Sequence, residues 1–398
     1  MLFFIEKIVF FLLLSLFSMN CFASSSQFID LLDGQLDASQ YLSENAYGFL
    51  PVPIIITDPA VGGGLGMMGL IFHEEEHEKD ARLVAMQEGE NAADSLLPPS
   101  VSVALGAYTG NDSYFAGGGH MGFFNEGKIR YLGLGGYGDI NLDFYGFGDI
   151  SLPKPITIKT KATIIMQTVK FKLADSDFYL GPTHKYINAD ISPANINDLV
   201  DNLPPDLQAP LTDLLTNKVT TSGVGFTLEY DSRDNIFSPK SGLKYELTHL
   251  WYRDALGSDI DYQLTEFYGL NYFTLTKKWR TALRAEINYA DSDSILPPYA
   301  TPSISMRGIP SGRYQGNAIG VTELEVIYDL NLRWEFNVFA GVGKASNKFS
   351  DMGDSDSKIS QGVGFRYLIA RRYGFNMGLD IAKGPEENIF YIQAGSAW

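Results

Sequence analysis

Apolar and polar residues alternate one for one along much of this chain, and that alternation restricts what it can fold into. Trp279–Tyr289 places Trp279, Thr281, Leu283, Ala285, Ile287 and Tyr289 on one parity and Arg280, Ala282, Arg284, Glu286 and Asn288 on the other. Leu332–Ala340 divides likewise, with Leu332, Trp334, Phe336, Val338 and Ala340 against Arg333, Glu335, Asn337 and Phe339. In Tyr373–Ile381 the split is Tyr373, Phe375, Met377, Leu379 and Ile381 against Gly374, Asn376, Gly378 and Asp380. A period of two is that of a strand, so each segment has one apolar and one polar face. A soluble sandwich alternates too. Here the polar face carries charges with glycine between them, on strands about 10 residues long, which suits a wet barrel interior and an outward band facing lipid.

Residues 1–23 read as a secretory signal peptide: Lys7, then an apolar run from Ile8 to Phe17, then a small residue at Ala23. Cys21 is the single cysteine, and Ser18-Met19-Asn20 before it is a poor lipobox. Cleavage after Ala23 leaves no cysteine, which excludes a disulfide framework. No later segment offers 18 consecutive apolar residues, so helical membrane spans are out. The chain instead has 26 Phe, 22 Tyr and 40 Gly at a mean hydropathy of −0.04, as aromatic-rich strands require. With 30 Lys+Arg against 47 Asp+Glu the net charge is −17, and a basic footprint for nucleic acid is absent. A closed barrel satisfies every backbone group in lipid. The fold expected is therefore all-β, a transmembrane antiparallel β-barrel, placed in the bacterial outer membrane. Residues 24–50 form a short periplasmic segment and 51–398 the barrel.

About 16 strands are expected, starting near 52–57 and 64–74 and ending near 373–382 and 388–398. Asn125-Glu126-Gly127, Thr276-Lys277-Lys278, Asp329-Leu330-Asn331 and Arg371-Arg372 are short links after even-numbered strands. The long polar links 191–219, 292–318 and 344–357 follow odd-numbered ones. Short periplasmic turns and long outer loops are the pattern of such barrels. The charged link His73–Pro99 breaks it, being long on the periplasmic side.

Three stretches resemble the BamA/TamA-type outer-membrane barrel superfamily, the bacterial surface antigens. Tyr230-Asp231-Ser232-Arg233-Asp234 through Pro239 and Gly242 is similar to that family's D-x-R-D…P…G periplasmic hairpin. Met306-Arg307-Gly308-Ile309-Pro310-Ser311-Gly312-Arg313-Tyr314 is similar to the R-G motif of a loop folded into the lumen. Ile389–Trp398 resembles the last strand with its closing aromatic, and Asp33-Gly34-Gln35-Leu36-Asp37 with Gly48–Pro53 resembles a branch with little besides the barrel. About 28 residues between Ala23 and the first strand are too few for a POTRA domain, so the resemblance is to a POTRA-less branch. Gly341 stands where the family has an acidic partner for the loop arginine.

Parity supplies a partner for Arg307. If Leu324, Val326, Tyr328 and Leu330 face lipid, then Glu323, Glu325 and Asp329 face the lumen, where a guanidinium pairs with a carboxylate. Glu325 is the expected partner, with Glu323 beside it, and Arg313, Arg284 and Glu286 extend the network. Such lumen charges alone fit an ordinary porin equally well. Pro51 and Pro53 place a weak seam between first and last strands, or else precede the ladder altogether. On the last strand Phe390, Ile392, Ala394 and Trp398 share a face. The resemblance makes Phe390, Ile392 and Trp398 a terminal signal read by the barrel-assembly machinery that inserts the chain.

His73-Glu74-Glu75-Glu76-His77 is a literal H-E-x-x-H, but it ends an apolar strand and lacks a third ligand, so it reads as a solvated acidic link. Asp351, Asp354 and Asp356 lack EF-hand spacing. His120, His184 and His249 stand alone without a nucleophile constellation, so no enzyme, metal or cofactor is expected. Two functions stay open. One is assistance to insertion or translocation of proteins or lipids at the outer membrane, with outer-membrane lipid as partner and the client unidentified. The other is a passive pore or structural surface antigen.

Overall fold

Sequential strands joined by short turns pair with their chain neighbours. The computed structural model describes residues 28–30, 32–44, 49–73, 80–81, 84, 99–147, 150–193, 208, 212 and 218–398. Among them runs one antiparallel sheet of 16 strands in strict chain order. The first eight are β1 (Phe49–Ile56), β2 (Gly64–His73), β3 (Ser100–Thr109), β4 (Tyr114–Phe124), β5 (Ile129–Phe147), β6 (Ile150–Lys172), β7 (Phe178–Pro193) and β8 (Lys218–Asp231). The rest are β9 (Gly242–Tyr252), β10 (Tyr262–Thr274), β11 (Trp279–Asp291), β12 (Ala318–Asp329), β13 (Trp334–Ser346), β14 (Lys358–Ala370), β15 (Phe375–Lys383) and β16 (Asn388–Ala394). A one-turn helix, α1 (Ser39–Glu44), precedes them. Residues 1–27, where the signal peptide is expected, and nearly all of the link after His73 lie outside the described residues.

The expected bounds shift at several ends. β1 begins at Phe49 rather than 52, β5 and β6, expected over 128–142 and 156–174, run to Phe147 and start at Ile150, and β16 ends at Ala394 rather than 398. With 19 and 23 residues, β5 and β6 are about twice the length a membrane crossing needs, so both run on beyond the span.

Parity decides inside from outside. Leu324, Phe336, Val338, Val363 and Ile381 are each about half exposed on the outer wall, while Glu323, Glu325, Asn337, Arg366 and Asp380 are buried on the inner one. Two residues leave their parity. A register shift between Leu368 and Ala370 precedes β15, and Tyr373 and Phe375 turn into a buried cluster instead of joining Ile381 outside. That cluster lies at the end with the short turns and joins the two margins of the sheet. Phe72 of β2 stacks on Tyr373 at 5.1 Å, and Phe237 of the β8–β9 link meets Phe72 at 6.2 Å and Phe375 at 6.0 Å.

The margins themselves are not laddered. Among the described residues β1 pairs only with β2 and β16 only with β15, so the barrel is nearly closed. The Thr57 hydroxyl, just past β1, donates to the Phe390 carbonyl. Pro51 and Pro53 do not precede the ladder: they sit in it, opposite Gly69 and Met67. Proline has no N–H to give a neighbour, so its place is a margin strand. Backbone amides facing the β1–β16 joint should therefore exchange with solvent deuterium faster than those of β9–β13 in the same bilayer preparation. Equal protection would mean a closed ladder and would overturn the joint.

Candidate functional site

The β11–β12 loop doubles back into the barrel as a short hairpin. Ile304 N–H donates to the Tyr314 carbonyl at 2.9 Å, and Ser303 bridges Gln315. Ile304, Met306 and Ile309 pack on Ile319 and Val321 of β12, an apolar contact that holds the hairpin down. Its tip needs Gly308, where φ is +86° and an added Cβ would sit 2.8 Å from Ser360 Oγ and 3.0 Å from the Gly384 nitrogen. Gly341 lies beneath Met306: a side chain there would meet Met306 Sδ at 2.5 Å. The position that the family resemblance makes acidic is thus occupied by the loop's own methionine.

Arg307 ends up 6 % exposed among three carboxylates. Its Nη2 lies 2.7 Å from Glu325 Oε2, an ion pair set off the hydrogen-bond line. Nη1 donates to Asp380 Oδ2 at 2.9 Å, and Nε reaches Glu323 Oε1 at 3.5 Å. The guanidinium stands 3.5 Å over the Phe339 ring and 5.1 Å from that of Trp398. Arg366 clamps Asp380 with two bonds of 2.7 and 2.8 Å. Arg284 donates to Glu323 at 2.5 Å and also to Glu286. Three guanidiniums thus face four carboxylates, which is how charges survive away from water.

The structure brings together Arg307, Glu325, Glu323, Arg284 and Glu286, and adds Asp380 and Arg366. Asp380 lay on the polar parity of its strand, but nothing in the sequence pointed it at a loop 73 residues away. Arg313 does not extend this network. It grips Glu386 on the β15–β16 turn at 2.9 and 3.2 Å and stacks on Tyr145 at 3.7 Å. Burial alone would raise the Glu386 carboxyl, but hydrogen bonds from Arg313 and Tyr314 hold it below its ordinary value.

Trp398 is a second departure. It does not continue the outward row of Phe390, which is 45 % exposed, and Ile392. Gly395, at φ +84°, turns the chain inward, and Ser396 N–H donates to the Phe237 carbonyl at 2.6 Å. Trp398 then packs on Leu270, Tyr272 and Ala282, and its indole N–H donates to Glu323 at 3.1 Å. A cavity of about 400 Å³ remains between loop and wall, lined by Asp58, Arg284, Arg307, Glu323, Tyr391 and Trp398 among others.

The hairpin residues hold a turn. Arg233 grips Asp231 with two bonds of 2.9 and 3.1 Å. Asp234 accepts from Lys240 N–H at 2.9 Å and Ser241 Oγ at 3.1 Å, with Pro239 buried between and Gly242 at φ +104°. Arg130 also reaches Asp231, at 2.9 Å.

A second clamp escaped the sequence reading. Arg333, in the β12–β13 turn, donates to Asp30 and Asp37 at 2.5 Å and to Asp33 at 2.6 and 3.0 Å. Residues 28–30 and 32–44 are thereby fixed to the short-turn end, where Ala38 joins the Phe72–Tyr373 cluster. The spacing of Asp30, Asp33 and Asp37 was the available sign. The hydrogen bonds from Arg333 hold the Asp33 carboxyl below its usual value against the opposing effect of burial.

Over residues 149–398 the sequence matches the Omp85 superfamily domain. A search of curated proteins finds no match. Among solved structures, BamA from Haemophilus ducreyi lacking POTRA domains 1–3 is similar at TM-score 0.52 and 14 % identity, over 87 % of this chain and 69 % of that one. CdiB from Escherichia coli is similar at TM-score 0.54 and 11 % identity, over 87 % and 62 %. CdiB from Acinetobacter baumannii is similar at TM-score 0.52 and 10 % identity, over 87 % and 60 %. At these identities the likeness is one of fold.

Removing one partner of a buried pair strands the others, so Arg307→Ala should cost about 3–5 kcal/mol in chemical unfolding. Trp398→Ala, measured alone and combined, should couple to it by roughly 0.5–3 kcal/mol. Strict additivity would mean the indole does not support the guanidinium. The Asp33 clamp has a defined sign with pH. A lowered carboxyl contributes stability that is complete above its unfolded value, near about 3.9, and is lost as pH falls through the lowered one. Pepsin should release residues 28–44 only below about pH 4; release already at higher pH would contradict the clamp.

Proposed function

The chain belongs to the Omp85 superfamily, and from that premise we propose that it is an outer-membrane barrel assisting the insertion or translocation of proteins or lipids. The observation that carries this reading is the unladdered joint between β1 and β16 in a barrel whose interior is occupied. A polypeptide or lipid entering from the side would meet unpaired backbone groups there, and in a bilayer those groups gain most from a partner. The end bearing the short turns faces the periplasm, and the outward apolar wall faces lipid.

The R-G loop supports the same reading, because it ties both margins from within. Ser311 N–H donates to Asp58, just past β1, at 3.1 Å, and Gly308 N–H donates to the Tyr391 hydroxyl of β16 at 2.9 Å. Arg307 anchors the loop to β12 and β15. Movement of the loop and separation of the margins are then one event. On this reading Arg307, Gly308, Glu323 and Glu325 are positioning residues and none is catalytic. Arg313 secures the loop base. The Asp231, Arg233, Asp234, Pro239 and Gly242 hairpin braces the periplasmic end. Phe390 and Ile392 meet lipid and serve the chain's own insertion by the barrel-assembly machinery. No metal or cofactor is invoked, and the client is a protein or lipid to be identified.

The test is the folding rate of a small unfolded barrel into liposomes carrying this protein, against liposomes carrying an unrelated barrel of equal size. Acceleration that disappears with Arg307→Ala is expected. No acceleration, with steady ion conductance instead, would make the protein a pore or structural antigen and end the assembly reading.

A further inference from the structure

The outer wall of β2–β5 carries a cluster of polar groups among exposed apolar ones. Parity places His73 outside with Leu65 and Met67, Ser102 with Tyr108, His120 with Tyr114 and Phe124, and Tyr131 with Tyr137; all of these apolar and aromatic markers are more than 40 % exposed. His120 is therefore not solitary. Ser102 Oγ lies 2.8 Å from His73 Nε2 and 2.9 Å from His120 Nδ1, and the two rings stand 5.5 Å apart. The Tyr131 ring is 6.2 Å from that of His120.

A hydroxyl between two imidazoles gives its proton to one ring and takes a hydrogen bond from the other. Each neutral ring has one N–H. One of the two is used inside the chain, so the other is borne on an outer nitrogen, whichever way the chain runs. Two glycines keep space around these groups. A Cβ on Gly122 would sit 2.9 Å from His120 Nε2 and 2.6 Å from the Phe124 ring, and one on Gly133 would collide with the Tyr131 hydroxyl. One imidazole N–H and the Tyr131 hydroxyl thus face a patch of wall that no other described residue covers, at the end where β2 finishes and the short β4–β5 turn follows.

Next to this patch the wall has almost no side chains. Register aligns Gly69, Ala104, Gly118 and Gly135 across β2, β3, β4 and β5, and Gly106 lies opposite Ala116 in the row above. Beyond Gly135 the row continues to Ile165 of β6, which is 38 % exposed, and beyond Gly69 to Pro51 of β1. Tyr108 and Tyr114 close the far end. The trough is about 15 Å wide, three strand spacings, and no side chain in it exceeds a methyl.

We propose that this trough is a glycerophospholipid site, with the phosphate on the one outer imidazole N–H of the His73–Ser102–His120 chain and on the Tyr131 hydroxyl, and an acyl chain over Ala104, Gly118 and Gly135. The inference rests on the membrane placement proposed above and not on any assembly activity. Phosphate matches the donors because hydroxyl and imidazole N–H bonds to a charged oxygen are the strong ones. Nucleophilic use of Ser102 does not fit. Ser102 is paired on both sides in the ladder, which leaves no backbone donors for an oxyanion, and neither ring is oriented by a carboxylate in the hydrogen bonds above. A zinc site does not fit either, since the described residues hold no group of three or more metal-binding side chains.

The protein purified in mild detergent would be offered phosphatidylethanolamine, a diacylglycerol with the same chains, or inorganic phosphate, with occupancy read by native mass spectrometry. Phosphatidylethanolamine should bind about tenfold more tightly than the diacylglycerol, the factor that one hydrogen bond to a charged group supplies. The His73→Ala/His120→Ala variant should lose that margin, and Gly118→Leu should weaken both lipids. Tyr131→Phe removes only a donor hydroxyl and carries the test if the double variant does not fold. Equal binding of the two lipids, or unchanged binding by the variants, would overturn the site. Displacement of the lipid by inorganic phosphate at equal concentration would make it a free-anion site and overturn the lipid assignment. No client is present, so the result stands apart from the folding assay.

Discussion

A guanidinium held in a barrel lumen away from water must be met by carboxylates, and at Arg307 three of them arrive from two strands. Glu323 and Glu325 come from β12, the strand that follows the loop, and Asp380 comes from β15, one strand from the margin. The pair to Asp380 matters most for the architecture, because it ties the loop across the wall instead of folding it on its own stem. Once Arg307 is fixed there, Gly308 lies against Gly384 and within reach of Tyr391, and Ser311 reaches Asp58. Both margins of the sheet then hang on one loop tip. A barrel with no β1–β16 ladder has to hold its shape by such internal ties, and the aromatic cluster around Phe72 and Tyr373 is the corresponding tie at the other end.

Much of this was legible in the sequence. Alternation is a local property that survives in the fold wherever a strand is straight, so the strand count, the all-β barrel and the inward direction of Glu323 and Glu325 could all be read from parity. Parity fails where the backbone leaves the strand. Beyond Gly395 the chain has turned through a positive φ, and the extrapolated outward place of Trp398 became an inward one. The register shift before β15 removed Tyr373 and Phe375 from the outer face for the same reason. Pairings between distant strands are a different kind of information. Asp380 and Arg366 are plainly inward by parity, yet only the closed geometry says that they meet each other and Arg307. The placement of Arg313 on Glu386 likewise depends on a turn whose height above the wall no periodicity encodes.

Gly341 illustrates how a departure from a family pattern can be compensated. Lacking a carboxylate there removes one charge partner, but it also makes room for Met306, which packs the loop down by apolar contact. The charge is supplied from Asp380 instead. In this chain the loop is held by burial and by ion pairing, from Met306 and from Asp380.

The two sides of the joint are built differently. The family match covers residues 149–398, and that part holds Arg307, its carboxylates, the β8–β9 hairpin and the inward Trp398. The strands before it, β1 to β5, carry two prolines in β1, and glycines at 117, 118, 119 and 122 in β4 and at 133, 135, 136 and 138 in β5. Each glycine in a strand weakens it by roughly 0.5–1 kcal/mol relative to alanine, through lost packing and greater freedom when unfolded. The wall on the β1 side therefore has less side-chain packing within it, while β12 to β15 are crossed by buried ion pairs. The polar cluster and the trough, with nothing larger than a methyl in it, lie on that less packed wall. Lipid pressed into the trough favours the wall conformation that fits an acyl chain, and the unpaired margin of β1 is only one strand away.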